Sequence, residues 1–137
     1  MIVAIDGPSG SGKSSVAREI ARRCDLTYLD TGAMYRSVAY VCLERGVDPD
    51  DADAVAEVAR DVTIEFVPDG DGQRVLANGE DVTAQIRTPE VELAVSPVSA
   101  NPRVRETMVA LQRAAGERGD VVAEGRDIGT VVFPGAD

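Results

Sequence analysis

Gly7-Pro8-Ser9-Gly10-Ser11-Gly12-Lys13-Ser14 fits the pattern G-x-x-x-x-G-K-[ST] at every position. Ile2-Val3-Ala4-Ile5 ahead of it is a short apolar run suited to a buried parallel strand. Ser14–Arg23 behind it predicts a helix with Val16, Ala17, Ile20 and Ala21 on one face. Strand, glycine loop and helix together make a phosphate cradle. The glycines let successive backbone N–H groups turn inward, and the helix N-terminus adds partial positive charge at the same point. Lys13 is then placed to reach the terminal phosphates of a nucleotide, and Ser14 to hold Mg²⁺. A Gly/Ser-rich loop matching by chance would lack this flanking strand and helix.

Composition narrows the setting. The 137 residues allow one domain at most, and 44% apolar content is enough for a core. Only 4% is aromatic, so Val, Ala, Leu and Ile must do most of the packing. A net charge of −10 argues against nucleic acid held on a broad basic surface, and leaves a single phosphate chain possible. Lys13 is the only lysine among 14 cationic side chains, kept where a compact ammonium must fit between phosphates. With no histidine, imidazole catalysis and His-containing metal sites are excluded. Cys24 and Cys42 have no C-x-x-C spacing and are expected to be buried, inert thiols in a reducing compartment. The first strand begins at residue 2 with no leader, membrane run or lipidation signal ahead of it, so a soluble, cytoplasmic protein is expected.

Leu26–Leu29 reads as a second strand, ending in Asp30-Thr31-Gly32 before a helix over roughly 33–45 that Gly46 closes. Asp51 or Asp53 caps a short acidic helix to about Ala59, with Val55, Val58 and Ala59 inward. From Val62 the period becomes two, with Val62, Ile64 and Phe66 on one face. A turn over 68–72, a strand at Arg74–Ala77, the hairpin pair Asn78-Gly79 and a third segment to about Ile86 predict a three-strand meander standing off the main sheet. Thr88 caps a helix with Pro89 at its first position, and Pro97 and Pro102 are expected to break the run. A longer helix over about 103–115, with Val104, Met108 and Leu111 inward, ends at Gly116 and Gly119. Val121-Val122-Ala123 is a buried strand with Glu124-Gly125-Arg126-Asp127 at its carboxyl end, the edge where open α/β sheets bind ligands. The expected class is α/β: a parallel sheet of the P-loop NTP hydrolase type with flanking helices and a small antiparallel β insert.

Taken in order, "IDGPSGSGKSS", "LDTGAMYR", "NGEDVTAQIRTPEV", "NPRVRE" and "EGRDIGTVVFP" make the whole chain similar to the bacterial cytidylate kinases. That resemblance implies a single P-loop kinase domain over 1–137, with a nucleoside monophosphate-binding insert at about 61–88. It implies ATP-dependent phosphoryl transfer to CMP or dCMP, giving CDP or dCDP. The ATP phosphates would lie along Gly7, Pro8, Ser9, Gly10, Ser11, Gly12, Lys13, Ser14 and Ser15, with Ser14 on Mg²⁺ and with Lys13 and Arg126 catalytic. Thr31, Arg36 and Arg126 would hold the CMP phosphate, and Ser96, Arg105 and Asp127 would read the base. Cytosine's amino donor suits the Ser96 hydroxyl or the Asp127 carboxylate, and its two acceptors suit the Arg105 fork. Uracil reverses the first two of those positions, so the site should discriminate against it. The implied partners are ATP and CMP or dCMP, with no nucleic acid and no membrane, in a protein monomeric at full length. The family continues past this point with two further strands, a lid helix carrying arginines and an adenine-side loop, so the chain is expected to be C-terminally truncated and its sheet incomplete.

Each assignment has a plainer rival. Arg36 and Arg105 fall on helices, where a solvent-facing guanidinium is the default. Arg126 beside Asp127 fits a surface ion pair, and Ser96 beside Pro97 fits a helix-ending residue. Tyr35 reads as packing. Asp6 either assists a metal through water or bonds the loop backbone, and Glu124 is an open candidate for a metal-side carboxylate. Two other functions compete: an adenylate kinase-like enzyme, which fits the meander and the Arg-Asp strand end less well, and a nucleotide-binding fragment without turnover. No N-K-x-D motif supports a GTPase.

Overall fold

The computed structural model describes residues 1–7, 13–70, 72–125 and 128–136. They divide into two units, one formed by 1–32 and 109–137, the other by 33–108. The elements are those of an α/β protein with a parallel sheet and a separate small antiparallel sheet. Among the described residues no helix is long and apolar enough to cross a membrane.

The first unit is built on three parallel strands: β1 (Ile2–Asp6), β2 (Thr27–Asp30) and β6 (Val121–Gly125). Their order is β1-β6-β2, so the last strand in sequence is the middle one. Val121, Val122 and Ala123 are all buried, as the apolar run of a strand covered on both sides should be. Helix α1 (Lys13–Cys24) lies against this sheet through Ala17, which packs with Tyr28 and Val122, with Val3, Ile5, Ile20, Ala21 and Leu26 around them. Val16 was expected on that face, yet is 53% exposed. A helix turns 100° per residue, so Val16 lies on the flank of the stripe centred between Ala17, Ile20 and Ala21, beyond the reach of the sheet contacts. Cys24 corrects a second expectation: it ends α1 past the packed stripe and is exposed, whereas Cys42 is buried. Asp25 then turns the chain through a left-handed φ of 56°, and the Leu26 N–H bonds the Ala21 carbonyl at 2.9 Å.

Past β6 a short π-helical turn, Ile128–Val132, is gripped at both ends. The Asp6 carboxylate accepts from the backbone N–H of Ile128 through Oδ1 and of Gly129 through Oδ2, the latter at 2.9 Å. At the other end Arg113 donates to the carbonyls of Val131 (2.6 Å) and Val132 (3.0 Å). Arg113 belongs to α5 (Pro102–Arg118), which runs through Gly116 instead of stopping there. The reason is the Phe133 ring, which leaves no room for a side chain: a Cβ on Gly116 would sit 2.7 Å from its Cε1. Leu111 was expected inward and is 40% exposed; Gln112 takes the buried place at 1%.

Helix α2 (Thr31–Glu44), which belongs to the second unit from Ala33 on, buries Val38, Ala39, Val41 and Cys42, and Gly46 beyond it closes it as expected with a φ of +69°. Helix α3 (Ala52–Asp61) is capped by the Asp51 carboxylate, accepting from the Ala54 N–H at 3.3 Å, and buries Val55, Ala56, Val58 and Ala59. Strands β3 (Ile64–Asp69), β4 (Gly72–Ala77) and β5 (Glu80–Asp81) form the antiparallel sheet. Between β4 and β5, Asn78 (φ 52°) and Gly79 (φ 82°) form the two-residue turn that their sequence predicts. The Asn78 side chain also accepts from the Thr63 N–H at 3.0 Å.

The meander's third strand is shorter than expected. After Asp81 the Thr83 hydroxyl and backbone N–H bond the Asp81 carboxylate, holding it below its usual pKa and turning the chain. Gln85–Arg87 is a 3₁₀ turn. Helix α4 (Pro89–Ala100) starts on its Thr88 cap, as the sequence indicates, and contains Pro97 where a break was expected. The carbonyl four residues earlier belongs to Leu93, 81% exposed, so the bond Pro97 cannot make is lost on a wet side. Asn101 joins the next turn: its Nδ2 donates to the Ala52 carbonyl at 3.0 Å and its Oδ1 accepts from the Arg103 N–H at 3.1 Å.

Candidate functional site

Parallel strands deliver their following loops to one edge, and the register here fixes which residues meet there. Asp6 pairs with Gly125, and Asp30 with Glu124. The ladder continues one step further, with the Gly7 N–H donating to the Gly125 carbonyl at 3.3 Å. The chain therefore leaves this edge at Gly7, at Thr31 and after Gly125. These are the starts of the glycine loop, of α2 and of the segment holding Arg126 and Asp127. Pro8, Ser9, Gly10, Ser11, Gly12, Arg126 and Asp127 lie outside the described residues, as do the side chains of Lys13 and Ser14. Lys13 is the first residue of α1, with Ser14 and the exposed Ser15 in the same first turn.

Thr31 is buried, and its hydroxyl donates to the Glu124 carbonyl at 2.8 Å. The neighbouring Gly125 is where the two segments touch: a Cβ there would fall 1.9 Å from Thr31 Oγ1. The hydroxyl's one hydrogen is thus already engaged, and using it on a phosphate would mean turning it away from Glu124. Glu124 is itself buried and accepts from the Tyr28 hydroxyl at 2.9 Å. Asp6, with both oxygens on the Ile128 and Gly129 amides, serves backbone in this structure, though the backbone after β6 instead of the glycine loop. Among the described residues no group of three or more Cys, Asp or Glu side chains is placed to hold a metal ion. A hydroxyl at the head of α1, the position of Ser14, is an oxygen donor of the kind that suits hard Mg²⁺.

In the second unit the other expected residues stand on three helices: Arg36 on α2, Ser96 on α4 and Arg105 on α5. Arg36 is not the solvent-facing guanidinium of its plainer reading. It is half-buried at 22% exposure, and its Nε donates to Glu92 Oε1 at 2.9 Å. Ser96 is exposed in the body of α4, where its carbonyl accepts from the Ser99 hydroxyl at 3.2 Å, so it does not end a helix. Arg105 is half-buried. Sequence reasoning did not single out Glu92, because its partner is 56 positions away and an acidic residue in a first helical turn needs no further explanation. It also missed Arg113, whose role depends on carbonyls in a turn 18 and 19 residues on.

Comparison with known proteins gives one consistent result. Residues 3–137 match the family described as cytidylate kinase. The chain is 51% identical over 137 residues to the cytidylate kinase of Geobacter sp. (strain M21), covering 100% of itself and 59% of that protein. To the cytidylate kinase of Symbiobacterium thermophilum it is 50% identical, covering 61% of that protein. A bifunctional pantoate ligase/cytidylate kinase from Synechococcus sp. (strain CC9902) is 52% identical over 138 residues, 28% of its own length.

Proposed function

Since the chain belongs to the cytidylate kinase family, we propose that it serves ATP-dependent phosphoryl transfer to CMP and dCMP, giving CDP and dCDP. The chain spans 59% of the length of the Geobacter relative. The observation that carries the proposal is the Asp6–Gly125 register, which starts the glycine loop and the Arg126 segment from neighbouring strands at one sheet edge. An acceptor that is already a phosphate anion needs no nucleophilic side chain and no strong base. What it needs is two polyanions held in line and their charge offset.

In this reading the whole chain is one P-loop kinase domain with its monophosphate-binding insert at about 61–88. The stretch Gly7–Ser15 cradles the ATP phosphates, and Lys13 and Arg126 offset the charge of the transferring group. Thr31, Arg36 and Arg126 hold the acceptor phosphate; Ser96, Arg105 and Asp127 read cytosine. Ser14 is the residue that would hold Mg²⁺, which when bound neutralises phosphate charge. Net charge supports small nucleotides over nucleic acid as partners, and a monomer in the cytoplasm fits the same reading. The alternative reading is a nucleotide-binding role without turnover.

A coupled assay for ADP formation with CMP, dCMP, UMP and AMP, beside a CMP titration, separates these readings. ADP release with CMP and dCMP supports the kinase, and CMP binding without release supports the binding role. Lys13→Ala should abolish most transfer and leave CMP affinity within about twofold, because the lysine serves the other nucleotide. Equal loss of both would refute that division of labour.

A further inference from the structure

We propose that Glu92 is a positioning residue for the acceptor phosphate, acting through Arg36; the inference rests on the reading of Arg36 given above. Both side chains stand on regular helices, Arg36 in α2 and Glu92 in the first turn of α4. The bond joins Arg36 Nε to Glu92 Oε1 at 2.9 Å. A guanidinium has five N–H donors in a flat fork, and this bond engages only the one nearest the stem. The two terminal amino groups, which make the bidentate pair with a phosphate, take no part in it. Holding an arginine by Nε fixes the plane of the fork while leaving its working end for an anion.

Glu92 is half-exposed, so water screens its side of the pair with Arg36, and its value as a structural bridge is modest. Its value to binding is different. An arginine without this tether must surrender its rotamer freedom when the phosphate arrives, which weakens binding by about 3- to 10-fold. Glu92 meets that requirement before the ligand is present. Its negative charge works in the opposite direction by repelling the phosphate, and the two effects separate chemically. Glutamine keeps an acceptor for the Nε–H and drops the charge; alanine drops both.

The test is calorimetric titration of the full chain and its Glu92 variants with CMP and with cytidine, which lacks the phosphate. Glu92→Ala should weaken CMP about 3- to 10-fold and leave cytidine within about twofold. Glu92→Gln should bind CMP no more than about threefold weaker than the parent chain. Parallel loss of CMP and cytidine affinity would mean a merely structural bridge, and would overturn the proposal. CMP binding by Glu92→Ala equal to or tighter than by Glu92→Gln would mean competition instead of positioning, and would overturn it as well. If the parent chain binds CMP no better than cytidine, Arg36 is no phosphate clamp. The functional reading of Arg36 then falls, and this inference with it.

Discussion

Gly125→Ala places one methyl group at the tightest point of the sheet edge. Its carbon would lie 1.9 Å from Thr31 Oγ1 and 3.3 Å from both Thr31 Cβ and Ile128 Cδ1. Non-bonded heavy atoms settle at about 3.5 Å, so roughly 1.5 Å of separation must be found. One route swings the Thr31 hydroxyl away and breaks its 2.8 Å bond to the Glu124 carbonyl. Stranding that buried acceptor costs about 1–3 kcal/mol. The other route moves β6, which is paired on both sides, and overpacking of that kind costs about 1–3 kcal/mol. The variant takes the cheaper of the two routes, so the expected loss is about 1–3 kcal/mol, a substantial fraction of an ordinary domain's stability. Urea unfolding of the single variants and the double variant measures it as a cycle. Thr31→Ala removes the oxygen that the new methyl strikes, so Gly125→Ala should cost at least about 1 kcal/mol less in that background. A single variant within about 0.5 kcal/mol of the parent chain, or strictly additive effects, would refute the steric argument.

Gly116→Ala should destabilise by about 1–3 kcal/mol although alanine is the better helix former, because the Phe133 ring fills the space; Phe133→Leu should reverse the sign, as read from shifts in the urea midpoint. Asp6→Ala, which leaves the Ile128 and Gly129 amides without their carboxylate, should cost about 1–3 kcal/mol in the same measurement; no change would mean that water replaces it. Only one of the two cysteines, the exposed Cys24, should react with a thiol reagent in the native chain, and both in urea. Burial pushes the Cys42 thiol up to about 11 from an ordinary 9.0. Between those values the unfolded chain releases a proton that the folded one retains, so stability should fall as pH rises through that window. Cys42→Ala should flatten that slope, and an unchanged slope would assign it to other groups.

What could be read from the sequence was whatever local chemistry decides. Asn78-Gly79, Gly46 and the Thr88-Pro89 cap each needed a backbone geometry that few residues supply, and each stands where it was expected. Pro97 and Gly116 misled because their ordinary meaning is local while their actual setting is tertiary: a solvent-facing carbonyl in one case, a phenyl ring in the other. Val16 and Leu111 were misplaced by one residue's rotation, since an apolar residue beside a stripe looks like part of it, and Cys24 stands at the helix end, past the packing. At the candidate site, the strand ends were legible from the motifs. The contacts that tune them were not, because Thr31 meets Glu124 across 93 residues and Asp6 meets Ile128 across 122.

The strand order has a consequence for how the protein comes into being. Among the described strands, β1 and β2 have no neighbour in their sheet until Val121–Gly125 is synthesised, because β6 stands between them. The hairpins of β3, β4 and β5 need only residues close by in the chain, and contacts of short range form first. In pulse-labelling during refolding, the amides of β4 should gain protection before those of β6, and the reverse order would contradict this. Among the described strands, those of the β1-β6-β2 sheet are therefore the later to pair, and a nascent chain carries its glycine loop well before it has a sheet to mount it on.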